Sequence, residues 1–145
     1  MAASPTCIFC EIVAGDAPAS VVYRDPLVTA FMDIQPVNPG HLLVIPNEHA
    51  VYLADLPPAT GGRMFEVAQL LAGALRRTRL KCEGINFFLA DGEAAGQEVF
   101  HVHLHVLPRF AGDGFGLHYG PDYTKLPPRS ALDEVAADVR QALEP

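Results

Sequence analysis

The sequence predicts an α+β domain, an antiparallel β-sheet with helices packed on it. Three observations carry that expectation. Short β-type runs at residues 21–24 and 27–33 follow each other across Asp25-Pro26, a hairpin signal, and another run at 41–45 comes soon after. Residues 60–80 carry Met64, Val67, Ala68, Leu71 and Leu75, the spacing of a helix with one apolar stripe. Residues 101–107 read His-Val-His-Leu-His-Val-Leu and alternate with the strict period of a strand.

The elements follow in order. Residues 7–14 form a short helix with Ile8, Phe9, Ile12 and Val13 on one side. The hairpin leads into a loop from Gln35 to Gly40, punctuated by Pro36 and by Asn38-Pro39-Gly40. The apolar run at 41–45 is stopped by Pro46. Arg76, Arg77 and Arg79 end the long helix, where they suit the negative end of its dipole and face solvent. A strand at 85–89 precedes a small-residue loop, 91–97, that leads directly into the histidine strand, expected over 99–107. Residues 108–128, rich in Gly, Pro and Tyr, are irregular. A last helix over about 129–143 is expected to take Ser130 as N-cap, reinforced by Asp133, with Leu132, Val135, Ala136, Val139 and Leu143 inward. The whole chain reads as a single domain, with a core at about 7–115 and a C-terminal extension.

Composition narrows the function classes. The chain has 145 residues, 50% of them hydrophobic, enough to build one core. Its formal charge of −7 argues against general nucleic-acid binding, which needs a basic face. No apolar run reaches membrane-spanning length, and no basic segment followed by an apolar one opens the chain, so the expected location is the cytoplasm. Three cysteines then suggest metal binding or packing rather than disulfides. Cys7 and Cys10 form a Cys-x-x-Cys pair: half of a zinc site, a redox pair or coincidence. Cys82 reads as a buried filler and His118 as a surface residue.

Three of the six histidines fall within five residues, His101, His103 and His105, all on one face of a strand. Imidazole serves near neutral pH as nucleophile, proton carrier or metal ligand. At about 3.3 Å per residue the outer two lie roughly 13 Å apart at Cα, too far for all three to share one ion. Such a row matches an extended anion such as a polyphosphate, with successive rings on successive groups.

The segment 101–107 resembles the His-φ-His-φ-His-φ-φ signature of the histidine triad (HIT) superfamily, where φ is apolar. Asp33-Ile34, the run from Gly40 and His41 to Pro46, His49, and Gly96-Gln97 are similar to the same family in matching order. The likeness covers roughly residues 7–115 and lies nearest the bacterial nucleotide-binding and nucleotide-hydrolase branch. Ala95-Gly96-Gln97 with Leu107-Pro108-Arg109 is also similar to the diadenosine polyphosphate hydrolase branch.

The resemblance implies a homodimer whose sheets join, with a nucleotide cleft at each triad. It implies that His103 attacks the α-phosphorus and forms a nucleotidyl-histidine, that His105 contacts a non-bridging oxygen, and that His41 hydrogen-bonds within the site. Gly96 and Gln97 would shape the phosphate loop and Asp33 would hold the ribose hydroxyls. Ile8, Phe9, Phe31 and Ile34 would sandwich the base; from the residues alone all four read as core. Relatives similar to this chain hold zinc with residues matching Cys7, Cys10, His49 and His101, a closed structural set in which His101 orients its neighbour. Two departures stand out: Ala90 replaces a usual Asn or Gln, and Glu98 replaces a usual Ser or Thr near the leaving group.

The implied activity is cleavage at the α-phosphorus of purine nucleotide (AMP- or GMP-type) phosphoramidates or dinucleoside polyphosphates. The alternative is a nucleotide-binding or scaffold protein with little turnover. A metallohydrolase with the histidines as catalytic zinc ligands lacks a carboxylate partner.

Overall fold

The computed structural model describes residues 6–145. They form two compact units, the first ending at Gly114 and the second running from Phe115 to Pro145. In the first unit α1 (Ile8–Ala14) precedes β1 (Val21–Arg24), β2 (Val28–Met32) and β3 (Leu42–Pro46). Then come α2 (Pro58–Arg76), β4 (Gly84–Phe88) and β5 (Leu104–Arg109). The second unit contributes α3 (Arg129–Leu143). The sheet order is β1-β2-β3-β5-β4, and each neighbouring pair is antiparallel. The α+β architecture expected from the sequence is the one observed.

β2 and β3 are buried along almost their whole length because a helix lies on each side of the sheet. On one face Phe31, Leu43 and Ile45 pack with Phe9, Cys10 and Ile12 of α1. On the other, Val28, Ala30, Leu42, Val44, Leu104 and Val106 pack with Met64, Val67, Ala68 and Leu75 of α2. Alternation along each strand sorts the residues between the two faces. Ile8, grouped with the apolar side of the first helix, is instead 46% exposed.

The boundary of the histidine strand differs from the expected one. β5 begins at Leu104, and residues 99–103 approach it with irregular backbone. Pro46, at the end of β3, has no N–H to extend the ladder, and Val102 N–H goes instead to Ala50 C=O at 2.8 Å. Ser130 is not the N-cap of α3: the helix starts at Arg129, directly after extended Pro128, and Ser130 lies in its first turn. Leu132, Val135, Val139 and Leu143 are exposed rather than inward, and Ala136 is half-buried. The periodicity was real, but the second unit contains no other regular element to cover that stripe. Cys82 is half-buried against the α2-side core, not enclosed.

Candidate functional site

β3 and β5 are neighbours, and His41, one residue before β3, comes beside His105. Gly40, directly before His41, occupies a tight left-handed turn. Its φ is 92°, and a Cβ there would meet Leu80 Cδ1 at 2.7 Å. His103 and His105 have ring centroids 5.0 Å apart, and His41 and His105 5.1 Å.

Hydrogen-bond partners fix the proton positions on these rings. His103 Nδ1 lies 2.8 Å from the His101 carbonyl, an acceptor, so Nδ1 carries the proton and Nε2 keeps its lone pair. His41 Nδ1 receives the Val37 N–H at 3.1 Å, so its proton is on Nε2. That Nε2–H donates to His105 Nδ1 at 2.8 Å, which leaves His105 with an N–H at Nε2. The site therefore holds one free imidazole lone pair on His103 and one N–H donor on His105.

Charge is kept low here. Burial, with the rings of His103 and His41 opposing a further positive charge, pushes His105 down to about 4, against the pull of Asp33. Burial also holds His41 below the usual histidine range, with Asp33 again opposing. Asp33 does two things: Oδ1 accepts the Gln35 N–H at 2.8 Å, an Asx-type turn, and Oδ2 lies 3.5 Å from His41 Nε2.

His101 is separated from its two companions. It is fully buried, so a single anion touching three successive rings does not fit. Its Nε2–H donates to the Pro46 carbonyl at 2.9 Å, and its Nδ1 lone pair faces Cys7 Sγ at 3.3 Å, Cys10 Sγ at 3.6 Å and His49 Nδ1 at 3.3 Å. Cys10 Sγ and His49 Nδ1 are 3.3 Å apart. Metal–ligand bonds of about 2.0–2.1 Å to nitrogen and 2.3 Å to sulfur give tetrahedral edges of about 3.3 Å between nitrogens and about 3.5 Å between sulfur and nitrogen. These four separations are close to such edges. Burial, joined by His49 and His103, lowers His101 to about 4 despite its bond to Pro46, so the ring is neutral and its lone pair available.

Asp33, His41 and His105 also come close enough to suggest a metal. Their protons argue otherwise. A metal on His41 Nε2 would displace that proton to Nδ1, where the Val37 N–H already points. This trio is proton-bearing, and the cluster of Cys7, Cys10, His49 and His101 is the one that could hold a metal.

The remaining sequence-nominated residues divide. Phe9 and Phe31 are buried, with rings edge-on at 5.4 Å. Ile34 is 100% exposed and is not core, because it follows Asp33 into the turn. Gly96 sits at φ 89°, a left-handed turn that favours glycine. The amide of Gln97 is committed internally: Oε1 accepts the Gly92 N–H, and Nε2 donates to the carbonyls of Val51 and Val99. Gln97 thus shapes the loop. Ala90 is buried and Glu98 exposed. Asn38, a turn residue in the sequence reading, lies buried in the 35–40 loop and bonds to the end of β5. Its place in Asn38-Pro39-Gly40, directly before His41, was the available signal. An apolar groove lined by Leu53, Leu56, Met64, Phe65 and Leu104 lies on the α2 face, away from the triad.

Comparison with known proteins agrees with this geometry. The family described as HIT domain matches residues 14–112. An uncharacterized HIT-like protein of Borreliella burgdorferi is 46% identical over 115 residues, covering 79% of this chain and 83% of its own length. An adenylylsulfatase, HINT3 of Arabidopsis thaliana, is 33% identical over 103 residues, 71% of this chain and 52% of that protein. The crystal structure of a Zn-bound histidine triad family protein from Mycobacterium smegmatis matches with a TM-score of 0.74 at 43% identity, over 92% of this chain and 97% of that one.

Proposed function

The chain belongs to the HIT domain family, and from that premise we propose that it is a hydrolase or nucleotidyl transferase acting at the α-phosphorus of purine nucleotides. The observation that carries this reading is the His103 Nδ1–H to His101 C=O bond at 2.8 Å, which leaves Nε2 as the ring nitrogen that attacks. Nε2 attacks phosphorus; an N–P bond forms as the bond to the leaving group breaks, and that group departs with the electron pair and gains a proton. Water then attacks the same phosphorus, releases the nucleoside monophosphate and restores His103. One hard displacement becomes two easier ones.

His105 Nε2–H donates to a non-bridging oxygen, and His41 holds it in that tautomer. Asp33 Oδ2 accepts from the ribose. Phe9 and Phe31 form the floor of the base site, and the exposed Ile8 and Ile34 are side chains a bound base would cover. Gly96 and Gln97 keep the phosphate loop in shape. Neutral rings beside an acidic Asp33 favour a phosphoramidate or a mixed anhydride over a highly charged dinucleoside polyphosphate.

Cys7, Cys10, His49 and His101 would hold zinc as a closed structural site. There they would tie α1 to the segment just before β5, and the metal would supply structural cross-linking rather than chemistry. Two chains would join through β4, the sheet edge next to the triad strand.

The test is direct. The protein is incubated with adenosine 5′-phosphoramidate, quenched, and examined by mass spectrometry for an adenylyl group on His103. The variant His103→Ala should bind AMP, stay folded and form neither adduct nor product. Undiminished hydrolysis by that variant overturns the proposal, and binding without turnover by the wild type favours a nucleotide-binding role.

A further inference from the structure

The His41–His105 chain has a direction, set by a backbone N–H on one side of His41 and favoured by the Asp33 carboxylate, 3.5 Å from Nε2, on the other. Val37 N–H points at His41 Nδ1 at 3.1 Å. Without it, the two neutral tautomers of His41 draw closer in energy, with only the distant Asp33 Oδ2 still favouring Nε2–H. With the proton on Nδ1, His41 Nε2 would accept from His105 Nδ1–H. His105 would then turn a lone pair, not a donor, toward the phosphate oxygen.

What holds Val37 in place is its neighbour. Asn38 is 9% exposed and spans two parts of the fold. Its Nδ2 donates to the Pro108 carbonyl at 2.9 Å and to Asp113 Oδ2 at 2.8 Å, and both partners are acceptors, which fixes the orientation of the amide. Its own carbonyl accepts the His41 N–H at 3.2 Å. Asp113 is held in turn: Arg109 reaches both of its oxygens at 2.7 Å, and the Phe110 N–H adds a bond at 3.1 Å. Arg109 is the last residue of β5, four positions beyond His105. Asn38 therefore ties the loop that carries the Val37 N–H to the strand that carries His105.

We infer that Asn38, clamped by Asp113 and Arg109, is a positioning residue that sets the tautomer of His41 and thereby makes His105 a hydrogen-bond donor. It touches neither substrate nor reacting atoms. The inference rests on the proposal that His105 contacts the phosphate, but its central claim concerns a proton on His41 and is observable without turnover.

The protein is labelled with 15N-histidine, and the two ring nitrogens of His41 are read in long-range 1H–15N spectra of wild type and Asn38→Ala. Wild type should show the pure Nε2–H form, and the variant a mixture, its two nitrogen shifts drawn together. Phosphoramidate turnover should fall at least about tenfold, in kcat more than in KM, a loss typical of removing an orienting partner. In a His105→Ala background the same substitution should cost almost nothing further, because there is no donor left to orient. A tether that only stiffened the loop would cost the same in both backgrounds.

If Asn38→Ala does not fold, Asp113→Asn serves instead. It keeps the size of the side chain, weakens the clamp, and should mix the tautomers in the same way. An unchanged Nε2–H form in a folded clamp variant overturns the inference, as does a wild type that already carries the Nδ1–H form. Absence of turnover with the expected tautomers would count against the proposed reaction and leave Asn38 in its role.

Discussion

The ring of Phe9 meets the ring of His103 edge-on, with centroids 5.3 Å apart and planes at 81°. The same phenyl ring lies 5.7 Å from His101. Phe9 sits between Cys7 and Cys10 in sequence, so the cysteine–histidine cluster and the proposed nucleophile share one wall. Phe9→Ala opens a cavity against His103 and should cost about 3–5 kcal/mol of stability. It should also lower turnover more than Phe9→Leu, which refills most of the space. Chemical denaturation and steady-state kinetics on both variants check this. Equal activity of the two, with equal unfolding midpoints, would mean that the wall does not matter.

The four-atom cluster makes a prediction about composition. Purified protein should contain about one zinc per chain, and Cys7→Ser with Cys10→Ser should remove it. Losing the metal should lower the melting temperature and speed amide exchange in α1, whose Cys10 N–H already caps back onto Cys7 Sγ at 3.4 Å. Metal-free protein that melts with the wild type and protects α1 equally well would end the zinc assignment.

The low pKa of His105 gives stability a pH dependence with a definite sign. An imidazole in the unfolded chain titrates near 6.5, whereas His105 in the fold is pushed down to about 4. Between those values the unfolded chain binds more protons than the folded one, so protonation favours unfolding. The contribution is complete above about 6.5 and is lost as pH falls toward about 4. His41, also lowered, acts in the same direction. Urea midpoints at about pH 7.5 and about pH 5 should differ more for wild type than for His105→Gln, which removes one titrating group. Equal differences would show that the buried ring is not responsible.

How far the chain disclosed itself depends on what each feature rests on. The period of two in residues 101–107 and the helical spacing from Met64 to Leu75 are local, so the sheet and α2 were legible. The start of β5 was not, because it turns on the missing N–H of Pro46 and on Ala50 taking the Val102 N–H, both facts of tertiary pairing. The stripe of α3 was visible, but a pattern shows that a face is apolar and not what lies against it. Ile34 read as core by residue type, although the turn at Asp33 carries it into solvent. The candidate metal quartet was reached through the motif likeness, and its four side chains do come together. No sequence pattern announces the tautomers, which depend on where the carbonyls of His101 and Pro46 and the N–H of Val37 come to lie.

The two edges of the sheet are not equivalent, and that leads to a prediction about assembly. β1 is four residues long and its pairing with β2 shifts register between Val21 and Tyr23, features that blunt an edge. β4 pairs regularly with β5 over five residues and has no such defect. Exposed aromatics flank it: Phe87, 40% exposed, lies 5.6 Å from Phe65, 54% exposed. An open, regular strand edged with phenyl rings is a surface for pairing with a second copy about a twofold axis. The protein should therefore run in light scattering at twice its 15.6 kDa chain mass. Phe87 faces α2 whereas Phe88 contacts His105 at 5.4 Å, so Phe87 is the residue to change. Phe87→Lys should shift the population toward monomer and leave the His103 adduct chemistry of each chain measurable. A wild type that is monomeric at every concentration, or a variant that remains dimeric, would remove β4 from the interface.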